Sequence, residues 1–313
     1  MEALAITHVA VGVIINEHEQ VLISRRHPDS HKGGLWEFPG GKKEESETIE
    51  AALQREFVEE LGIKPTKFHP FTKTRYHYPE KTVLLDVWII TEYEGEAIGK
   101  EGQAIEWREL HHLRSTDFPE ANAPIIKRIQ LPKEFAITAD LESSEELPTL
   151  FKKYSEQGIQ LIQFRQTHLD QANYVYWLQS AVSIARDYDI HIVANQSPDT
   201  FGAAHASGLH VNSNTLMSLV RRPVASDLLF SASCHSFEEL HQAQILDADF
   251  VTLSPVCYTS KYGSGNELGW DSFSDLAGRI SLPVYALGGL GRDDLQVAQS
   301  CGAFGIAGIS AYL

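Results

Sequence analysis

Residues 40–63 read GGKKEESETIEAALQREFVEELGI, and this stretch decides the fold of the first part of the chain. A glycine pair opens it, and residues 47–61 contain no Gly or Pro, which predicts a helix. Gly62 stands where a helix ends in the left-handed conformation. The apolar positions recur at helical spacing and form one stripe, made of Ile49, Leu53, Phe57 and Leu61.

Three glutamates of this helix lie beside the apolar stripe. At about 100° per residue, Glu60 projects within about 20° of Leu53, Glu56 projects within about 60° of it, and Glu59 flanks them. Solvated glutamates favour the opposite face, and like charges near a packed face are costly unless a cation neutralises them. The pattern therefore favours a Mg²⁺ site over a solvated acidic face.

The spacing of this stretch resembles the Nudix box. Five residues separate Gly41 from Glu47, seven separate Glu47 from Arg55, and residues 55–63 follow the family pattern, with Phe57 in place of the more common aliphatic residue. The resemblance implies an α/β/α fold with a mixed sheet between helices. It also implies hydrolysis of a nucleoside diphosphate linked to another group, with Mg²⁺ or alternatively Mn²⁺ as the cofactor.

The same resemblance assigns roles to individual residues. Glu56 would be the general base that removes a proton from water, and Arg55 would orient it. A bound cation would neutralise the phosphates and lower the pKa of water. The ligands of this cation in the box would be the Gly40 carbonyl, Glu59 and Glu60.

Later segments resemble the MutT branch of the Nudix family. They are YEGE at residues 93–96, GKEGQ at 99–103 and DFPEANAP at 117–124. This branch hydrolyses oxidised purine nucleoside triphosphates, chiefly 8-oxo-dGTP, to the monophosphate and pyrophosphate. By this resemblance Glu101 is a further metal ligand, Asn122 reads the base edge, and Arg26 and Tyr78 line the base pocket. The plainer alternatives are an exposed loop glutamate for Glu101 and a helix-start residue for Asn122.

The rest of the chain alternates strands and helices. Before residue 131, β-rich runs predict strands at residues 6–15, 21–26, 73–78, 82–91 and 106–110, with a helix from residue 125. Eight further strands are predicted at residues 135–139, 159–164, 191–194, 208–211, 228–231, 250–253, 283–287 and 305–307. Helical stretches at 145–157, 172–188 and 237–246 lie between several of them, which predicts a compact (β/α)₈ TIM barrel. We therefore expect a Nudix domain at 1–131 and a barrel at 132–313.

The barrel segment resembles thiamine phosphate synthase and its TenI-type relatives. Two glycine-rich stretches match the phosphate loops of that family, and backbone N–H groups there can hold a phosphate. The residues that would bind a small phosphate ligand are Gly288, Gly289, Gly305, Ile306 and Gly308.

The catalytic positions of the synthases are not kept. Gln166 to His168 stand where a synthase has its lysine, Gln196 follows Asn195 in place of a magnesium aspartate, and Asn214 stands near the second aspartate position. We therefore expect ligand binding without synthase activity, and His210 and His235 are expected to be core or loop histidines.

Length, net charge and cysteine count limit the classes of function that this chain can have. The chain has 313 residues, and its net charge of −16 argues against nucleic-acid binding. Three cysteines indicate a reducing compartment, and neither a signal peptide nor an apolar run of membrane-spanning length is apparent. A cytoplasmic protein without membrane contact is expected, and an oligomer is compatible with the sequence.

The leading function is sanitation of oxidised nucleotides. The alternatives are hydrolysis of thiamine-pathway pyrophosphates, and a barrel that senses a phosphate ligand and regulates the hydrolase.

Overall fold

The computed structural model describes residues 6–202, 205–258 and 266–313. The chain divides into two compact units, and the division falls between Gln130 and Leu131. Each unit has its own hydrophobic core.

The described part of the first unit, residues 6–130, contains seven strands and two α-helices. These are β1 Ile6–Ile14, β2 Gln20–Arg25, β3 Trp36–Glu37, β4 Gly40–Lys42, α1 Ile49–Leu61, β5 Lys64–His77, β6 Thr82–Glu94, β7 Ile105–Glu109 and α2 Ala123–Ile129. One sheet has the order β4-β1-β6-β5, with β1 parallel to β6 and the other pairs antiparallel. A second sheet has the order β3-β2-β7. The predicted mixed sheet is therefore confirmed.

Helix α1 packs its predicted stripe on the first sheet. Leu53, Phe57 and Leu61 are fully buried in a cluster with residues of β1 and β6. The helix begins two residues later than predicted, because the Thr48 hydroxyl caps it by accepting a hydrogen bond from the Ala51 N–H. It ends as expected at Gly62, whose φ is 72°.

Strand β5 is longer than the sequence pattern indicated. Pro65 and Pro70 interrupt the apolar alternation before residue 73, and this hid the first half of the strand. The pairing with β6 shifts register beside both prolines, so bulges absorb residues that cannot donate to the ladder.

The second unit is a closed barrel of eight parallel strands in the order β10-β11-β12-β13-β14-β15-β8-β9. Its strands are β8 Glu134–Ile137, β9 Leu161–Phe164, β10 His191–Asn195, β11 Gly208–Val211, β12 Leu229–Cys234, β13 Phe250–Leu253, β14 Val284–Leu287 and β15 Gly305–Gly308. Its helices are α3 Leu147–Glu156, α4 Gln171–Arg186, α5 Ser213–Ser218, α6 Phe237–Ile245, α7 Gly269–Gly278 and α8 Leu295–Ser300. All eight predicted strands are present, and the TIM-barrel prediction is confirmed.

Large side chains fill the barrel interior. Phe135, Phe250 and Tyr285 are fully buried and contact one another through ring pairs 5.1–5.7 Å apart. The open space of the barrel is thus left at the carboxyl ends of the strands. In the part of the chain that the structure describes, no helix has the length and apolarity needed to cross a membrane.

Candidate active site

The glycine loop, formed by Gly40 and Gly41, brings the backbone close to the carboxylates of α1. Strand β4 pairs with β1, and a Cβ at Gly40 would lie 2.1 Å from the Ala10 carbonyl oxygen, so this approach requires glycine. The Gly40 N–H donates to Glu60 Oε2 at 3.3 Å. A Cβ at Gly41 would lie 2.1–2.2 Å from all three atoms of the Glu56 carboxylate. The glycine pair and two box glutamates are therefore neighbours.

Arg55 donates hydrogen bonds to three neighbouring glutamates, Glu47, Glu56 and Glu59. Its guanidinium donates to Glu56 Oε1 at 2.7 Å and to Glu59 Oε2 at 3.3 Å. It also donates to both carboxylate oxygens of Glu47 and to the Lys42 carbonyl. The hydrogen bonds that Arg55 donates to Glu47 and Glu56 raise the Arg55 pKa further, so the guanidinium stays charged. Arg55 thus fixes the Glu56 carboxylate through one of its oxygens.

The electrostatics around Glu60 fit a divalent cation. Burial raises the Glu60 pKa to about 8, and the nearby charges of Glu37, Glu56 and Glu101 add to this effect. Burial also raises the Glu37 pKa to about 7, against the lowering effect of Arg26. Glu37, Glu60 and Glu101 therefore line one cavity, in which burial disfavours the ionised forms of Glu37 and Glu60. A hard cation with oxygen ligands suits this donor set, because it would stabilise the ionised carboxylates.

The loop before β7 carries Glu101 to the same place. The Ile98 and Lys100 N–H groups donate to the carbonyls of Leu61 and Glu60 at the end of α1, at 3.0 and 2.9 Å. These helix-end carbonyls lack partners inside the helix, so the loop satisfies them. Glu101 comes next in the loop, lines the same cavity as Glu60, and adds to the raised pKa of Glu60.

A cavity of about 340 Å³ lies between the glycine loop and the segment before α2. Six of the nine residues predicted for this site line it: Arg26, Gly40, Glu60, Tyr78, Glu101 and Asn122. Arg55, Glu56 and Glu59 are not part of this lining, and Glu59 is 58% exposed beside Arg55. The structure therefore joins three of the four predicted metal-binding residues and all three predicted base-binding residues in one cavity, and it leaves Glu59 outside the lining.

The predicted base-binding residues are held by their neighbours. Arg26 donates through Nε to the His31 carbonyl at 3.0 Å and forms an ion pair with Glu37. Tyr78 is buried, its ring centroid lies 4.8 Å from that of His31, and burial raises its pKa. Asn122 is only 8% exposed, directly before α2.

Sequence reasoning missed Glu37 and His31, although both line the cavity. Glu37 lies between Trp36 and Phe38 in the apolar run before the glycine pair, and this position was a usable signal that its carboxylate would be partly buried.

A second cavity, of about 600 Å³, lies at the carboxyl ends of the barrel strands. Gly288, Gly289 and Gly308 line it. Gly305 and Ile306, the other predicted phosphate contacts, lie earlier in β15 and away from the lining. A Cβ at Gly305 would lie 2.1 Å from the Lys133 carbonyl oxygen, so this glycine permits close backbone packing at the start of the strand.

The polar side chains of this second cavity are amides, hydroxyls and two basic groups. Among the described lining residues there is no Asp, Glu or Lys, whereas Arg165 and His235 supply basic nitrogen atoms. Gln163 Nε2 donates to Asn195 Oδ1 at 3.0 Å, and His235 Nδ1 contacts the Ser254 carbonyl at 2.7 Å. The missing carboxylates follow from the replacements seen in the sequence.

His210 is a core residue of the barrel. It is 1% exposed, and its two ring nitrogens lie 2.8 Å from the hydroxyl oxygens of Ser231 and Ser233. Burial lowers its pKa to about 3, so the ring is neutral. His235, in contrast, lines the cavity.

Comparison with known proteins agrees with both architectures. Residues 10–128 match the NUDIX domain family, and residues 135–312 match the thiamine monophosphate synthase family. The chain belongs to these two families, the first through its amino-terminal unit and the second through its barrel. It is a Nudix hydrolase that carries a thiamine phosphate synthase-like barrel.

Individual relatives match one unit each. The 8-oxo-dGTP diphosphatase of Escherichia coli (strain K12) is 45% identical over 122 residues, which cover 39% of this chain and 95% of the relative. The putative thiamine-phosphate synthase 2 of Aquifex aeolicus is 28% identical over 185 residues, which cover 59% of this chain and all of the relative. A solved structure from a study of MutT from Aliivibrio salmonicida and Vibrio cholerae is 37% identical, with a TM-score of 0.34, and the match covers 40% of this chain and 97% of that one.

Proposed function

We propose that the first unit hydrolyses oxidised purine nucleoside triphosphates of the 8-oxo-dGTP kind to the monophosphate and pyrophosphate, with Mg²⁺ as cofactor. One observation carries the proposal. A single cavity is lined both by carboxylates that suit a cation and by Arg26, Tyr78 and Asn122. The relatives that share up to 45% of the sequence of this unit are 8-oxo-dGTP diphosphatases.

The proposal divides cation binding, proton removal and positioning among the predicted site residues. The Gly40 carbonyl, Glu59, Glu60 and Glu101 would hold the cation, which supplies charge neutralisation and a lowered pKa of water. Glu56 removes the proton from the attacking water. Arg55 keeps the Glu56 carboxylate in place through its 2.7 Å hydrogen bond to Oε1, which leaves the second oxygen for the proton.

Recognition of the base is assigned to Arg26, Tyr78 and Asn122. The Asn122 amide offers both a donor and an acceptor, so it can match a purine edge that presents both. Its burial makes an unmatched edge costly, since a buried polar group without a partner is destabilising. Arg26 is held by Glu37 and His31, and this restricts the side of the pocket where the base lies.

A hydrolysis screen tests the proposed substrate. Purified full-length protein with Mg²⁺ is assayed against 8-oxo-dGTP, dGTP, other normal nucleotides and thiamine-related pyrophosphates. We expect the largest kcat/KM for the oxidised purine. A larger kcat/KM for a thiamine-related pyrophosphate would support the alternative substrate class and contradict the proposal.

For the barrel we propose binding of a small phosphate ester without thiamine phosphate synthesis. The N–H groups near Gly288, Gly289 and Gly308 and the charge of Arg165 support the binding. The absence of carboxylates from the described lining argues against the metal-dependent reaction, since pyrophosphate departure needs charge stabilisation. Full-length protein given the two synthase substrates and Mg²⁺ should form no thiamine phosphate, and multiple-turnover formation would overturn this part of the proposal.

Two further points belong to the proposal. The three free cysteines and the net charge of −16 support a cytoplasmic enzyme that acts on free nucleotides rather than on nucleic acid.

If the barrel regulates the hydrolase, a phosphate ester bound there should change the rate of nucleotide hydrolysis. An unchanged rate at saturating ester would leave the barrel without that regulatory role.

A further inference from the structure

The side chain of Gln103 connects two of the proposed cation ligands. Its Nε2 donates to the Glu60 carbonyl at 3.0 Å, and its Oε1 accepts from the Glu101 N–H at 2.9 Å. One amide thus links the carboxyl end of α1 to the backbone of Glu101. The bond to Glu60 is partly buried and joins residues 43 positions apart in the sequence.

The other described backbone hydrogen bonds of this loop lie on either side of Glu101, and after it the Ala104 carbonyl accepts from the Arg25 N–H at 2.9 Å. Its backbone is tied to α1 at Ile98 and Lys100, before Glu101 is reached. After Glu101 comes Gly102, which has a φ of 80° and only a long hydrogen bond of 3.4 Å to the Gly99 carbonyl. Glu101 itself is exposed, so packing does not fix its backbone. The Gln103 amide is therefore the described contact that orients the Glu101 peptide.

We propose that Gln103 is a positioning residue that holds Glu101 beside Glu60 and so raises the affinity of the site for a divalent cation. The inference rests on the proposed function, in which both glutamates bind the cation. An amide is required because one end must donate to a carbonyl and the other must accept from an N–H. Groups that orient metal ligands typically change metal affinity by about 10–100-fold.

The test measures cation binding directly. Full-length wild type and the Gln103→Met variant, which keeps the length of the side chain but loses both hydrogen bonds, are titrated with Mn²⁺, and free Mn²⁺ is followed by electron paramagnetic resonance. We expect a Kd for Mn²⁺ at least about 10-fold higher in the variant. The Mg²⁺ concentration for half-maximal hydrolysis should rise in parallel, with kcat at saturating Mg²⁺ largely restored.

Gln54→Ala is the matched control. Gln54 lies on α1 and also donates from its amide to a backbone carbonyl, that of Pro65, at 3.0 Å. Loss of this bond should leave the Mn²⁺ affinity unchanged. In the double variant Glu101→Gln/Gln103→Met, the Kd should equal that of Glu101→Gln alone, because Gln103 acts through Glu101.

Two results would overturn the proposal. One is a Kd for Mn²⁺ in Gln103→Met that equals the wild-type value, and the other is a full additional loss in the double variant. Mn²⁺ binding needs no substrate. A wild-type protein that binds Mn²⁺ but does not hydrolyse 8-oxo-dGTP would therefore contradict the proposed substrate and leave the role of Gln103 to be decided by the titration.

Discussion

A single added methyl group at Gly41 should disable the proposed base. The Cβ of Gly41→Ala would lie 2.1–2.2 Å from the Glu56 carboxylate, whereas ordinary van der Waals contact begins at 3.4 Å. The carboxylate must therefore move by about 1.2 Å, the difference between 3.4 and 2.2 Å. A misplacement of about 1 Å can cost about 10²-fold in rate, so we expect kcat to fall by about that factor.

The same change should cost little stability. The atoms in the way belong to the end of a flexible side chain, and the backbone of Gly41 does not have a positive φ. Forcing Glu56 from its rotamer costs about 0.5–1.5 kcal/mol. The effect on activity should therefore greatly exceed the effect on folding.

The assay is steady-state hydrolysis of 8-oxo-dGTP at saturating Mg²⁺, with thermal unfolding measured on the same samples. Gly278→Ala is the control, since a Cβ there, in α7, would meet no heavy atom within 4 Å. We expect unchanged turnover in the control and about 1% of wild-type kcat in Gly41→Ala. Wild-type kcat in Gly41→Ala would refute the close contact between the glycine loop and the base.

Two further predictions concern the base pocket and the barrel core. Asn122→Ala should raise KM more for 8-oxo-dGTP than for dGTP, by about 1–3 kcal/mol in binding free energy, because the lost hydrogen bonds are the selective ones. Equal losses for both nucleotides, measured by initial rates, would make Asn122 a structural residue. The buried His210 has a pKa of about 3, below the ordinary 6.5, so the barrel should lose stability as the pH falls below about 6.5, by about 1.4 kcal/mol per pH unit. In urea unfolding of the barrel, His210→Asn should lose about 2 kcal/mol less than wild type between pH 8 and pH 5, and an identical loss would show that His210 does not cause this dependence.

The barrel shows what pattern alone can predict. Its strands are short apolar runs bounded by polar residues, and parallel strands buried on both faces keep this signature. The same rule failed for β5, because Pro65 and Pro70 broke the pattern while bulges preserved the strand. Two of the five predicted phosphate-binding residues, Gly305 and Ile306, lie earlier in β15 than the cavity lining, and Gly305 also permits close backbone packing there.

The site was only partly predictable, for a physical reason. The fixed spacing of its residues made the Nudix box recognisable in the sequence. Helical geometry then places the box glutamates on one side of α1. Glu37 was missed because its ion-pair partner, Arg26, lies 11 positions earlier and meets it only after the strands pair. The role of Gln103 depends on a contact across 43 positions, which no local pattern contains.

The most direct test of the central claim is the turnover of Glu56→Gln on 8-oxo-dGTP. The amide keeps the shape of the side chain but cannot take a proton from water. We predict a folded protein that binds Mn²⁺ and has a kcat about 10²–10⁴-fold below wild type, the range expected for loss of a general base. A kcat close to the wild-type value in a folded Glu56→Gln protein would contradict the account.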